Sequence, residues 1–333
     1  MYFTRTTESR APPRTAAGTL SPRTASTHVP DGHRSYGAAM SSPEDEALAL
    51  AAVDALTGQL ALAPKPGLPD PRDLGARRTR KDHGSLRWSA RALTPGLAAM
   101  AAAARRTGEP TPRLRAELGA IGRSTEHSVD LAGGGHRGAL WTLGLLVAAA
   151  ALDPAARSTQ VTAAAKKIAA HPDKRAPRRA SRGSSVSAKY GAAGARGEAR
   201  AGFPHVRRAL AALATARTAG AGETEARLDA LLTVMSTLQD TELLHTAGPA
   251  GLRHVQAGAR GVLEAGGTTT DSGREALLAL DADLHARAWS PRGSAGLLAG
   301  ALFMDALPAA VSARAMRARA VGTKGVSART RAA

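Results

Sequence analysis

An all-α fold follows from three observations. Aromatics make up only 3% of the 333 residues against 43% hydrophobic content, and Ala and Leu dominate that apolar share. No stretch alternates β-branched and polar residues as a half-buried strand does. Apolar residues instead recur at the three- and four-residue spacing of a helix face. A single multi-helix globular domain with buried Ala/Leu-rich helices and Gly-rich loops is therefore expected over residues 40–307. Tails at 1–39 and 308–333 are expected to flank it.

Residues 1–39 are rich in Ser, Thr, Pro and Arg, lack apolar periodicity, and read as disordered. Being Arg-rich and acid-poor, they have the composition of a transit peptide, but Met40-Ser41-Ser42-Pro43-Glu44-Asp45-Glu46 looks like a start with its own helix N-terminus. The spacing predicts a helix from 46 to 60. Pro64-Lys65-Pro66-Gly67-Leu68-Pro69-Asp70-Pro71 then forbids helix and makes a rigid extended loop. Two helices are expected at 85–104 and 112–128, then a buried one ending at Leu152. Connectors at 153–160 and 171–185 flank a short basic helix. A second Gly-rich stretch runs from Tyr190 to Val206. The pattern predicts further helices at 206–217, 223–244, 249–265, 273–287 and 294–306. The segment after Val311 is basic and expected to fray.

The formal charge of +18 sits unevenly. Residues 1–39 carry five Arg against Glu8 and Asp31, residues 166–189 carry eight basic residues against Asp173, and residues 313–333 carry six and no acid. The rest of the chain is close to balanced, which argues against a basic groove for specific nucleic acid, although basic tails attract polyanions non-specifically. Cysteine is absent, which excludes disulfides and thiolate metal sites and permits a cytoplasmic location. The longest apolar run, from Ala139 to Leu152, is shorter than the roughly 20 residues a bilayer needs, so no membrane anchor is expected.

The chemistry-bearing stretch is Leu131-Ala132-Gly133-Gly134-Gly135-His136-Arg137-Gly138, which runs straight into that apolar segment. Glycines without a Cβ let backbone N–H groups approach an anion, and His136 and Arg137 stand where a helix offers its first unpaired donors. The alternative is a glycine-rich cap before a core helix, and both readings stay open on local sequence.

Several stretches, in order, resemble the triphosphoribosyl-dephospho-CoA synthase family, in the type that accompanies malonate decarboxylase and is related to the citrate lyase type. They are Pro64-Lys65-Pro66-Gly67-Leu68; Ser89-Ala90-Arg91-Ala92-Leu93; His136-Arg137-Gly138-Ala139-Leu140-Trp141-Thr142-Leu143-Gly144-Leu145-Leu146; Tyr190-Gly191 through Val206; Asp240-Thr241 with Leu243-Leu244; and Ser290-Pro291 with Gly293-Ser294-Ala295. The resemblance spans about 40–307. It implies an all-helical, ATP-dependent pentosyltransferase that joins the triphosphoribosyl part of ATP to a ribose hydroxyl of 3′-dephospho-CoA and releases adenine. The product is the precursor of a carrier protein's prosthetic group, so a downstream carrier-protein transferase is an indirect partner. Such glycosyl transfer needs a base, stabilisation of an oxocarbenium-like centre and cations for the triphosphate, with Mg²⁺ on carboxylates and phosphate oxygens.

Departures from the family pattern fall on polar positions. Gln59 stands where the family has an acid, Gly75-Ala76-Arg77-Arg78-Thr79-Arg80-Lys81-Asp82 has lost a His and one of two acids and keeps Asp82, and Gly296 replaces an Asp. A nucleotide-binding protein of the same fold with impaired catalysis is thus the alternative to an active transferase. A basic RNA-associated protein is disfavoured by where the charge lies.

The resemblance makes Asp82, Asp240 and Glu198 the catalytic candidates. Lys65, Gly133, Gly134, His136, Arg137, Gly194, Arg196, Ser290, Gly293 and Ser294 are the nucleotide-binding candidates, and Asp70, Asp82 and Asp240 the Mg²⁺ candidates. Blander readings stand beside these: Lys65 as a solvated loop lysine, His136 and Arg137 as surface caps, Arg196 and Glu198 as a structural pair, Asp240 as a cap. Glu242 is expected to face solvent. His171, His205, His245 and His254 lack ligand spacing and read as structural.

Overall fold

The computed structural model describes residues 41–73, 83–176 and 181–307. The tails 1–39 and 308–333, and the segment carrying Asp82, therefore lie outside the described residues. Among the described residues the regular structure is helical throughout, and no helix is long and apolar enough to cross a membrane.

Helix α1 (Pro43–Leu60) starts because Ser42 caps it: its hydroxyl accepts from the Glu44 and Asp45 amides, while the Asp45 carboxylate accepts from the Ser42 N–H. The buried Asp45 carboxylate also pairs with Arg105 of the third helix. The expected helix at 85–104 is instead two, α2 (His83–Arg91) and α3 (Thr94–Thr107). Pro95 explains the break, because it has no N–H to continue the ladder and disfavours helix at the residue before it. Thr111 caps α4 (Pro112–Leu131), and α5 (Arg137–Leu152) follows the glycine cluster.

Helix α5 is buried from Leu143 to Ala151 on all sides, as a helix apolar all round must be. Helices α1, α3, α4, α6 (Ser158–Ala170) and α8 (Gly194–Arg200) pack around it. Between them, α7 (Arg182–Tyr190) begins inside the expected connector, and α8 occupies the expected glycine-rich loop. A second group consists of α9 (Pro204–Thr218), α10 (Glu223–Met235), α12 (Gly248–Glu264) and α13 (Asp271–Ala286). The expected helix at 223–244 ends at Met235; the chain turns and restarts as α11 (Thr241–Thr246), because the Asp240 side chain caps the new N-terminus. The last described helix, α14, spans 292–307. A methyl built on its Gly300 would lie 2.9 Å from Thr142, 3.2 Å from Leu146 and 3.2 Å from Val206, so α14 lies against both α5 and α9.

Candidate active site

Helix N-termini gather at one place. The first turn of α14 abuts that of α5, since a methyl on Gly296 would stand 3.4 Å from the Ala139 nitrogen. The Asp240 carboxylate ties α14 to α11: one oxygen accepts from Gly293 N at 2.8 Å and Ser294 N at 3.3 Å, the other from Glu242 N at 2.9 Å and Leu243 N at 3.4 Å. Thr241 then touches the start of α7, where a methyl on Gly183 would lie 3.7 Å from its hydroxyl, and a methyl on Gly194 would lie 3.6 Å from its side chain. Trp141, in the first turn of α5, donates its indole N–H to the Ala195 carbonyl at 3.1 Å and holds α8 beside the cluster. The ends of α5, α7 and α14 thus bring positive dipole ends together, the first donors of α14 being taken by Asp240 and Ser184 N of α7 by Ser181.

Burial pushes the Asp240 carboxyl up to about 6, against the four backbone N–H groups that favour its charged form. Gly293 is required beside it, because a Cβ there would come within 2.9 Å of the carboxylate. The buried hydroxyls of Ser290 and Ser294 have no hydrogen-bond partner among the described residues. Such groups in a polar cluster are natural contacts for a ligand.

The prolyl loop forms a second polar centre. Lys65 is only 1% exposed, so it is no solvated loop lysine; its ammonium reaches inward to Gln59 Oε1 at 3.4 Å. Asp70 accepts from the Lys65 backbone and from Arg72, which also bridges to Asp281 at 2.6 Å. Burial alone would raise the Asp70 carboxyl, but Arg72 and the backbone donors outweigh it and hold it below the usual carboxylate range. His83 borders this centre with Nε2 2.9 Å from the Leu60 carbonyl, and burial, with the nearby Lys65 charge, lowers its pKa. The loop packs on the approach to Ser290, for a methyl on Gly67 would strike the Trp289 carbonyl at 2.2 Å.

The glycine cluster turns the chain rather than lining a cleft by itself. Gly133, Gly134 and Gly135 have φ of 115°, 74° and 107°, and a Cβ on Gly135 would lie 2.5 Å from Leu86. Ser89 donates to the Gly134 carbonyl at 3.0 Å, which joins two of the sequence motifs. His136 is buried with Nε2 2.8 Å from the Leu86 carbonyl, and burial lowers its pKa. Arg137 is exposed and pairs with Glu126.

Glu198 does not pair with Arg196. It accepts from the His205 backbone at 2.8 Å and holds His205 Nδ1 at 2.7 Å, while His205 Nε2 is buried with no partner among the described residues. Phe203, between them, is forced to φ 55°. Sequence spacing read His205 as structural and passed over Arg72, Arg115 and Asp281; Arg115, beside the core position Leu114 on α4, was the one with a local signal. Glu242 is half-buried and lies 3.7 Å from Arg182.

Among the described residues no group of three His, Asp or Glu is placed to hold a metal ion. The oxygens of Asp240 already face four backbone N–H groups, and Asp70 faces Arg72. These two carboxylates do not fit a protein-built Mg²⁺ cage.

Residues 45–315 match the model of the CitG family, ATP:dephospho-CoA triphosphoribosyl transferase. The chain belongs to this family. Relatives named as probable 2-(5″-triphosphoribosyl)-3′-dephosphocoenzyme-A synthases include one from Stutzerimonas stutzeri, 46% identical over 273 residues that cover 80% of this chain and 94% of that one. One from Pseudomonas aeruginosa (strain UCBPP-PA14) is 49% identical, covering 79% and 92%. One from Azotobacter vinelandii is 47% identical, covering 77% and 89%. No solved structure matches significantly. As a CitG-family chain the protein is an enzyme of the transferase class, and the six motifs that resemble the family are those that build the two polar centres, the glycine turn and α8.

Proposed function

We propose that the chain joins the triphosphoribosyl part of ATP to a ribose hydroxyl of 3′-dephospho-CoA, releasing adenine, to make the prosthetic-group precursor of a malonate decarboxylase carrier protein. The observation that carries this reading is the gathering of the α5, α7 and α14 N-termini, with the unpartnered Ser290 and Ser294 hydroxyls among them. Converging positive helix ends suit a triphosphate. Mg²⁺ in this reading arrives on the triphosphate as part of the substrate.

In the transfer, the acceptor hydroxyl oxygen forms a bond to the anomeric carbon, the C–N bond to adenine breaks with its electron pair going to adenine, and the hydroxyl proton must be taken up. Of the acidic candidates described, Glu198 is the one joined to a histidine. It fixes His205 through Nδ1, so that Nε2 is the atom left to accept a proton. Asp240 orients α11 and α14 around the phosphates. Lys65 and His136 are buried and shape the walls rather than touch solvent.

One observation favours slow turnover: Gln59, at the family's acidic position, offers Lys65 a neutral oxygen in place of a carboxylate. The test is adenine release from ATP, with and without dephospho-CoA, for this chain, its Gln59→Glu variant and an intact family member. Release that requires dephospho-CoA, runs slower than in the family member and rises in the variant is expected. ATP binding without any adenine release would support the impaired alternative, and absence of ATP binding would end the proposal.

A further inference from the structure

Beside the helix-end cluster lies a group of arginines, among them Arg196, which the sequence offered as a nucleotide-binding candidate. Arg115 is buried on α4, its guanidinium 4.7 Å above the Trp141 ring, 3.7 Å from Asp173, with Nε lacking a partner among the described residues. Arg123, two turns along α4, meets the same Asp173 oxygen at 2.7 Å. The other Asp173 oxygen already accepts from the Arg175 backbone at 3.0 Å. Arg196 and Arg200 stand four residues apart on α8, so they share a face, and the Trp141–Ala195 bond sets that helix against α5. Both are exposed; Arg200 donates one N–H to the Ala169 carbonyl at 3.3 Å, and Arg196 has no ion pair among the described residues.

Burial lowers the pKa of Arg115; Asp173 opposes that, and the charges of Arg196, Arg123 and Arg200 add to it, so those three lie within electrostatic reach of Arg115. One carboxylate does not balance four cations. An arrangement that holds such repulsion in the free protein gains when a multivalent anion arrives.

We infer that Arg115, Arg123, Arg196 and Arg200 form a second anion subsite, which takes the diphosphate of the acceptor, dephospho-CoA. The inference rests on the proposed transferase reading. Both substrates carry phosphate chains and must be held together; the helix ends receive one chain, and Trp141, in the first turn of α5, contacts Arg115 and the backbone of the α8 helix that carries Arg196 and Arg200. Stacking on Trp141 fixes the plane of Arg115, so its free Nε edge is preset for a phosphate oxygen.

The decisive experiment is calorimetric titration of the full chain with dephospho-CoA and, separately, with ATP, in the native protein and in Arg196→Ala/Arg200→Ala. These two side chains are exposed, and unchanged circular dichroism confirms folding. The double variant should bind dephospho-CoA roughly tenfold more weakly or worse, while ATP affinity stays within about threefold. ATP weakened as much as dephospho-CoA would overturn the assignment to the acceptor, and unchanged affinity for both would overturn the subsite while leaving the transferase reading in place. A native chain that binds neither nucleotide would overturn the transferase reading, and the subsite with it.

Discussion

At the scale of single residues, Asp240 shows how one carboxylate can tie two helix starts together. It caps α11 with one oxygen and clamps the start of α14 with the other. Asp240→Asn replaces the second oxygen by an NH₂ that faces two N–H donors, so a loss of about 1–3 kcal/mol is expected in urea unfolding. The pH dependence has a definite sign. The folded pKa, about 6, lies above the ordinary 3.8. Its contribution is therefore fully present below pH 3.8 and lost as the pH rises through 6. The stability of the native chain relative to Asp240→Asn should fall between those values, and a flat difference across the window would contradict the assignment.

Among elements, the glycine turn between α4 and α5 carries a testable distinction between conformation and space. A Cβ on Gly108, which ends α3 at φ 75°, would meet nothing within 4 Å, whereas Gly135 combines φ 107° with a 2.5 Å approach to Leu86. Gly108→Ala is expected to cost about 1 kcal/mol for the left-handed backbone alone. Gly135→Ala should cost that and a further 1–3 kcal/mol or so for the forced shift of Leu86. Equal melting temperatures for the two variants would show that α2 yields freely. The same turn buries His136: α2 closes over it, and its ring goes to the Leu86 carbonyl.

For the whole molecule, the buried Ala/Leu interior around α5 supplies the stability, and the ion pairs on the surface add little. The Arg217 bridge to Glu223 and Asp305, which joins α9 to α14, is about one-third exposed at the arginine. Such pairs contribute up to about 1 kcal/mol and are screened by salt. Raising NaCl to roughly 1 M should therefore move the melting temperature by no more than about 5 °C. A much larger drop would mean that charge, rather than apolar burial, holds the helix groups together.

The sequence by itself determined the helical class, the position of most helices, the buried character of α5 and the family motifs. These depend on residues within a turn or two of each other: apolar spacing, Ser42 and Thr111 as caps, prolines in the 64–71 loop. Even the helix breaks that spacing missed had local causes in Pro95 and Asp240. Only the tertiary structure decided which helix ends meet, that Glu198 holds His205 instead of Arg196, that Lys65 turns inward, and that Arg115 shares a site with α8. Those contacts join residues far apart in the chain, such as Asp240 with Gly293 and Ser89 with Gly134. Their partners are selected by how helices pack around α5, which no local spacing encodes.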